Sequence, residues 1–335
     1  MKKPRPVSPQ SLRRSRDSAS EEPELRYPHR PVMVHEVIED LITLRNGIYV
    51  DGTVGTGGHS EAILRDLREE GRLIGLDRDP EAIRAAGERL APFGEKIRLV
   101  KTSYADLGQV MQDLGVERVH GVFLDLGMST SQLDYSRRGF SFSRDEPLDM
   151  RMDPEEGETA RDLLRNLSAR ELEHIFKSYG EEKRGKIIAA RIKREERKAP
   201  IDSTLQLVNL ILSVVPRSRR PGAKHPATKT FQALRIAVNR ELEHLAAFLE
   251  KAPRLISEGG RLVILTYHSL EDRMVKQAIK DWETGCRCPS DLPACACGRG
   301  PLFRRLHKKG VKPGQWEIEE NPRSRSATLR TAERI

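Results

Sequence analysis

The feature that most limits what this chain can fold into is a repeated order along it: a short apolar run, a turn of glycine or charged residues, a helical stretch, then another apolar run. The runs are Gly47–Val50, Arg72–Leu76, Ile97–Val100, Val119–Leu124 and Arg261–Leu265. Between them, Ser60–Glu69 places Ile63, Leu64 and Leu67 on one helical face; Pro80–Leu90 follows the second run, and Leu107–Leu114 precedes the fourth. Strands that are apolar throughout, alternating with helices, predict an α/β fold with a mostly parallel sheet covered on both faces. The alternation stops after Leu133 and resumes near Thr230, where a helix over Phe231–Leu249 is expected to feed the fifth strand through Gly259-Gly260. The stretch between is charged and helical, with helices expected over Ala169–Lys177, Gly185–Arg197 and Ser203–Val214. It reads as an inserted helical domain. The expected organisation is therefore a tail over 1–28, a main domain over 29–133 and 229–335, and an insert over 134–228.

Other classes fall away quickly. No run approaches the roughly 18 apolar residues of a membrane helix. Residues 1–20 are basic with no apolar stretch behind them, unlike a secretory signal, and a cytoplasmic protein is expected. Hydrophobic residues make up 37% of the 335, too many and too regularly placed for a wholly disordered chain. The net charge of +9 is terminal: residues 1–20 hold six Lys/Arg against one Asp, and residues 298–335 hold ten against four Glu, leaving the body slightly acidic. Basic tails suit an anionic partner such as nucleic acid. In the C-terminal stretch Phe303-Arg304-Arg305 and Trp316, followed by Arg323 and Arg325, interleave aromatics with cations that can stack on bases and pair phosphates.

Two loops at strand ends carry the chemistry. Asp51-Gly52-Thr53-Val54-Gly55-Thr56-Gly57-Gly58-His59-Ser60 joins the first strand to its helix, and glycine there lets the backbone come close to a ligand. Asp77 ends the next strand, 20 residues beyond Gly57, where a carboxylate can accept both ribose hydroxyls of a nucleoside. A dinucleotide fingerprint would run Gly55-x-Gly57-x-x-Ser60 and lacks its third small residue. A methyl donor carries no pyrophosphate and does not need that residue, so S-adenosylmethionine is the better fit, with Asp51 facing the donor's cationic end. The fourth strand delivers Asp125 to its carboxyl end, followed by Gly127 and a Ser/Thr/Gln cluster facing the same crevice; the alternative for Asp125 is a structural cap.

With these residues in view, the chain resembles the bacterial MraW-type methyltransferases, which modify N4 of a cytosine in small-subunit ribosomal RNA. The resemblance is carried by His29-Arg30-Pro31-Val32-Met33, Asp51–Ser60, Leu76-Asp77-Arg78-Asp79-Pro80, Leu124–Leu133, Arg138-Gly139-Phe140-Ser141-Phe142, Pro147–Asp153, His225–Arg235 and His268-Ser269-Leu270-Glu271-Asp272-Arg273, in order. It implies a Rossmann-like class I methyltransferase fold and a donor site of Gly57, Gly58, His59, Asp77, Tyr104, Asp125 and Gln132. It also implies an insert that recognises the substrate, namely 16S rRNA in the small ribosomal subunit near the decoding centre. A homodimer is left open.

Cytosine N4 is a poor nucleophile, because its lone pair is delocalised into the ring. Transfer needs in-line placement and an acceptor that draws on the N–H bonds, and Asp125 is the candidate. Other amino-methyltransferases follow such a residue with two prolines and an aromatic, whereas this chain has Asp125-Leu126-Gly127-Met128. Phe140 and Phe142, between Arg138 and Arg144, are candidates to stack on the base or to sit in the insert's core. His268-Ser269-Leu270-Glu271-Asp272-Arg273 has two readings: Ser269 caps the next helix with Asp272 at its third position, or His268 instead touches RNA or the base. Asp149, Arg151 and Asp153 form a charged strip. Lys224, His225, Lys229 and Arg235 suit phosphate contacts. Cys286, Cys288, Cys295 and Cys297 can bind one structural Zn²⁺, or stay free thiols. The competing functions are an amino-methyltransferase acting on DNA or another RNA, a non-catalytic RNA-binding assembly factor, and a dehydrogenase.

Overall fold

A computed structural model of the chain describes residues 31–128, 132–133, 136–216, 225–285, 288, 297–298 and 300–335. The expected strands are present as β1 (Ile48–Asp51), β2 (Arg72–Asp77), β3 (Ile97–Lys101), β4 (Val119–Asp125) and β5 (Ile256–Thr266), paired parallel among themselves. Two further strands, β6 (Phe303–Arg305) and β7 (Thr328–Arg334), complete a seven-stranded sheet ordered β3-β2-β1-β4-β5-β7-β6. β7 runs antiparallel to both β5 and β6. The strand order reverses between β1 and β4. In open α/β sheets a crevice opens at such a point, beyond the carboxyl ends of the strands.

The alternation of side chains along each strand builds two cores. Val50, Ile74, Leu76, Val122, Leu124, Leu262 and Ile264 pack on α4 (Leu107–Asp113), α10 (Glu241–Leu255) and α11 (Ser269–Thr284). Tyr49, Leu73, Phe123, Val263 and Leu265 face the other way, onto α1 (Val34–Leu41), α2 (Gly58–Asp66) and α3 (Pro80–Leu90). The doubly covered, mostly parallel Rossmann-like sheet is thus present.

A third core lies off the sheet. It is built by α5 (Ala160–Asn166), α6 (Ala169–Gly180), α7 (Gly185–Glu196), α8 (Thr204–Val214) and α9 (Thr228–Asn239), around Leu172, Phe176, Ile188, Ile192, Leu207, Ile211, Phe231 and Leu234. The helix expected over Phe231–Leu249 is two helices. Arg240 takes a left-handed conformation (φ 51°), ending α9 and starting α10. Periodicity missed the break because the apolar spacing carries across it. α9 packs in the third core and α10 in the first.

One part of the basic C-terminal stretch, β6, is not an open stacking surface, while Arg323 and Arg325 are exposed. Phe303 is fully buried against Trp282, and Arg304 and Arg305 of β6 pair with Glu333 and Glu283. Burying an aromatic ring outweighs leaving it for a partner. Trp316 on α12 (Gln315–Glu320) is 70% exposed.

Candidate active site

The carboxyl ends of β1, β2, β4 and β5 surround a cavity of about 550 Å³, which Leu133, Met152 and Thr228 also line. Gly58, His59, Asp77, Tyr104, Asp125 and Gln132 all line it. Gly57 does not. It is the left-handed N-cap of α2 (φ 83°), a conformation that favours glycine, and it turns the loop so that Gly58 and His59 face the cavity.

Asp77 braces this loop. Gly55 N–H donates to its Oδ2 (2.9 Å) and Asp79 N–H to its Oδ1 (2.9 Å). Each oxygen keeps a second lone pair. Burial pushes the Asp77 carboxyl up to about 6, against the lowering effect of those two hydrogen bonds. Asp51 departs from expectation. It is fully buried, accepts Ser60 Oγ–H (2.7 Å) and Thr53 N–H (3.2 Å), and is not among the residues lining the cavity. Its charge holds the loop rather than facing a ligand, and burial raises its pKa.

His59 is fixed from both sides. A carbonyl only accepts, so Nε2–H donates to Val32 O (2.8 Å), which leaves Nδ1 3.7 Å from Asp125 Oδ2. Its ring packs on Phe123. Asp125 also accepts Gly127 N–H (3.1 Å), and its own N–H donates to Thr53 Oγ1 (2.6 Å). Tyr104 stands edge-on to Phe248 of α10, and burial raises its phenol pKa, with Glu241 and Glu271 adding to the effect. Gln132 donates from Nε2 to Asp79 Oδ2 (3.2 Å).

Several expected substrate contacts are occupied within the chain. Arg235 makes a two-pronged pair with Glu241 (2.8 Å each). Lys229 Nζ donates to Glu181 O (2.9 Å), and Lys224 lies outside the described residues. Phe140 is a core residue under the Arg138 guanidinium, and Phe142 packs on His225 and Phe231. The charged strip is structural: Asp149 grips Arg151, and Asp153 pairs with Lys101. The cap of α11 is His268 rather than Ser269. Glu271 N–H donates to the His268 ring, while Glu271 Oε2 accepts Tyr267 N–H (3.0 Å) and His268 N–H (3.3 Å). Ser269 Oγ–H instead donates to Glu181 Oε2 (2.8 Å). Of the four cysteines, Cys286 and Cys295 lie outside the described residues.

The cavity also contains residues that sequence reasoning passed over: Arg78, Glu241, His244 and Tyr267. Tyr267 was findable, since it directly follows the fifth apolar strand, where a parallel sheet presents its ligand-facing residues. Glu241 and His244 were masked by the helix break at Arg240.

The MraW methylase family matches residues 26–335 of this chain. The ribosomal RNA small subunit methyltransferase H of Geotalea uraniireducens is 48% identical over 309 residues, covering 92% of this chain and 99% of that one. The protein of the same name from Geobacter sulfurreducens is 48% identical over 311 residues (93% and 100%), and that from Symbiobacterium thermophilum 46% identical over 311 residues (93% and 98%).

Proposed function

This chain belongs to the MraW methylase family, and from that premise we propose that it methylates the N4 amino group of a cytosine in 16S rRNA, near the decoding centre, using S-adenosylmethionine. The observation that carries the reading is the convergence of the glycine loop, Asp77 and Asp125 on one cavity at the point where strand order reverses.

The residues present fit the donor. A cavity of about 550 Å³ lies within the usual range for cofactor sites. The free lone pairs of Asp77 suit a ribose diol, and Tyr104 offers a flat wall for a purine. Gly58 and His59 bring loop backbone to the amino-acid end. The bound donor supplies an electrophilic methyl on a sulfonium.

The chain's own contribution is placement and proton handling. With the donor held by Gly58, His59, Asp77 and Tyr104, the N4 lone pair would take the methyl as the C–S bond gave its electron pair to sulfur. One N4 proton must then leave. Asp125 is the acceptor at the cavity wall, oriented by Gly127 N–H and flanked by His59. Holding the base in line accounts for most of the acceleration such a site supplies, because the chemistry needs no covalent intermediate. The insert over 134–228 is the substrate-recognition domain in this reading, and the four cysteines hold a structural zinc, which elemental analysis of the purified protein tests.

The deciding experiment is transfer of radiolabelled methyl from S-adenosylmethionine to small ribosomal subunits lacking the modification, with nucleoside analysis. Label in N4-methylcytidine, lost on Asp77→Ala, is the expected result. Label on another nucleoside, or none, overturns the reading.

A further inference from the structure

We propose that Tyr267 supplies the aromatic face on which the target cytosine packs beside Asp125. The proposal rests on the function proposed above and assigns the base-binding wall of that same cavity.

The placement follows from the sheet. Asp125 at the end of β4 is in register with Leu265 of β5, and Leu126 N–H donates to Leu265 O (3.0 Å). Two residues beyond Leu265, Tyr267 therefore stands next to the segment that follows Asp125. The close fit there depends on Gly127. A Cβ at that position would sit 2.8 Å from Tyr267 Cε2, 3.1 Å from Cζ and 3.0 Å from Asp125 Oδ1. No side chain fits between ring and carboxylate, so glycine is what lets them meet. Burial holds the Tyr267 phenol pKa well above its ordinary value, with the neighbouring Asp125 carboxylate adding to the effect, and the ring lines the cavity.

The alternatives are spoken for. Phe140 is buried in the insert's core, and Phe142 is half-buried against it, stacked on His225 and edge-on to Phe231. The Tyr104 ring follows β3 and lies edge-on to Phe248. The only other aromatic side chains lining the cavity, among the described residues, are His59 and His244. His59 is held by Val32, and His244 is hydrogen-bonded to Ser103. Tyr267 is thus the phenyl-type ring adjacent to the proposed proton acceptor. A base extracted from its helix loses its stacking partners, and an aromatic wall restores that interaction in a sequence-tolerant way. A ring fixed beside Asp125 also sets the plane in which N4 approaches the carboxylate.

The test compares the full-length protein with Tyr267→Leu, Tyr267→Phe and Gly127→Ala, measuring S-adenosylmethionine affinity by calorimetry and methyl transfer to unmodified small subunits. Tyr267→Leu is expected to lose about thirtyfold in kcat/KM for the subunit while donor Kd stays within about twofold. Tyr267→Phe, which keeps the ring, is expected to recover most of that loss. Gly127→Ala pushes the ring aside without removing it, so it gives the same selective loss by an independent route should Tyr267→Leu fold poorly. Wild-type rates in both Tyr267→Leu and Gly127→Ala overturn the proposal. A parallel loss of donor affinity also overturns it, because it assigns the ring to the donor site. A wild-type protein that transfers nothing brings down the functional reading and this proposal together, and is told apart by the wild-type arm alone.

Discussion

Arg138, from the segment that follows the loop after β4, drives its guanidinium into the Asp79 carboxylate at the start of α3. Asp79 is 1% exposed and also caps that helix by accepting Glu81 N–H, while Gln132 donates to it. The same guanidinium donates to the carbonyls of Arg151 and Met152. One buried ion pair thus pins the insert to the sheet beside the cavity. Removing one partner of such a pair leaves an uncompensated buried charge, at about 3–5 kcal/mol. Arg138→Ala is expected to lower unfolding free energy by that order in denaturant titration. A loss under about 1 kcal/mol would show that the pair is not a clamp.

Asp77 makes donor binding depend on pH. Its pKa is raised to about 6 by burial, so the carboxylate is ionised above that value and protonated below it. Protonation replaces an acceptor with a donor where ribose hydroxyls need acceptors. The Kd for S-adenosylmethionine is therefore expected to be flat from about pH 7 upward and to rise about tenfold per unit below about pH 6. Calorimetry between pH 5 and 8 checks this, and Asp77→Asn should show no such dependence.

Asp125 is expected to act on rate more than on donor affinity. Asp125→Asn keeps the shape and one acceptor oxygen but cannot take a proton. A fall of about 10²–10³ in single-turnover rate, with donor Kd little changed, is the expected result. The opposite split, an intact rate with weakened donor binding, would place Asp125 in the donor site alone.

The two readings of the α11 cap separate cleanly. Glu271, 2% exposed, accepts two backbone N–H groups at the helix start. Glu271→Ala is expected to cost about 1–3 kcal/mol. Ser269→Ala removes only an exposed contact to Glu181 and should stay within about 0.5 kcal/mol. Thermal melting of both variants decides it, and a Ser269 cost as large as that of Glu271 would restore the serine cap.

The parallel strands and their helices were readable because burial on both faces leaves unbroken apolar runs, as in Val119–Leu124. Pro80–Leu90 was readable to the residue, since Asp79 and Pro80 carry a helix start in their chemistry. β7 was not readable: Thr328–Arg334 carries only Leu329 and Ala332 as apolar residues among polar and charged ones, and its strand state comes from pairing with β5 and β6 rather than from an apolar run. The glycine loop and Asp77 were legible because the ligand-facing geometry is local. Glu241 and His244 reach the same cavity only through the packing of a distant helix, so no spacing encodes them, whereas Arg78 and Tyr267 directly follow β2 and β5. The charges read as phosphate contacts failed for a related reason. Arg235 has its Glu241 partner six residues away, across a helix break that a single-helix reading cannot contain.

The position of β7 has a consequence for how the protein is made. This strand follows every other strand in the chain, yet it sits inside the sheet, between β5 and the β6 edge. Its Thr331 hydroxyl also reaches back to Asp40 of α1, near the beginning of the described chain. Until Thr328–Arg334 has left the ribosome, β5 presents an unpaired apolar edge, the kind of surface on which nascent chains aggregate. Closure of the sheet therefore waits until β1–β6 have all been synthesised, and loss of β7 would leave β5 without its antiparallel partner.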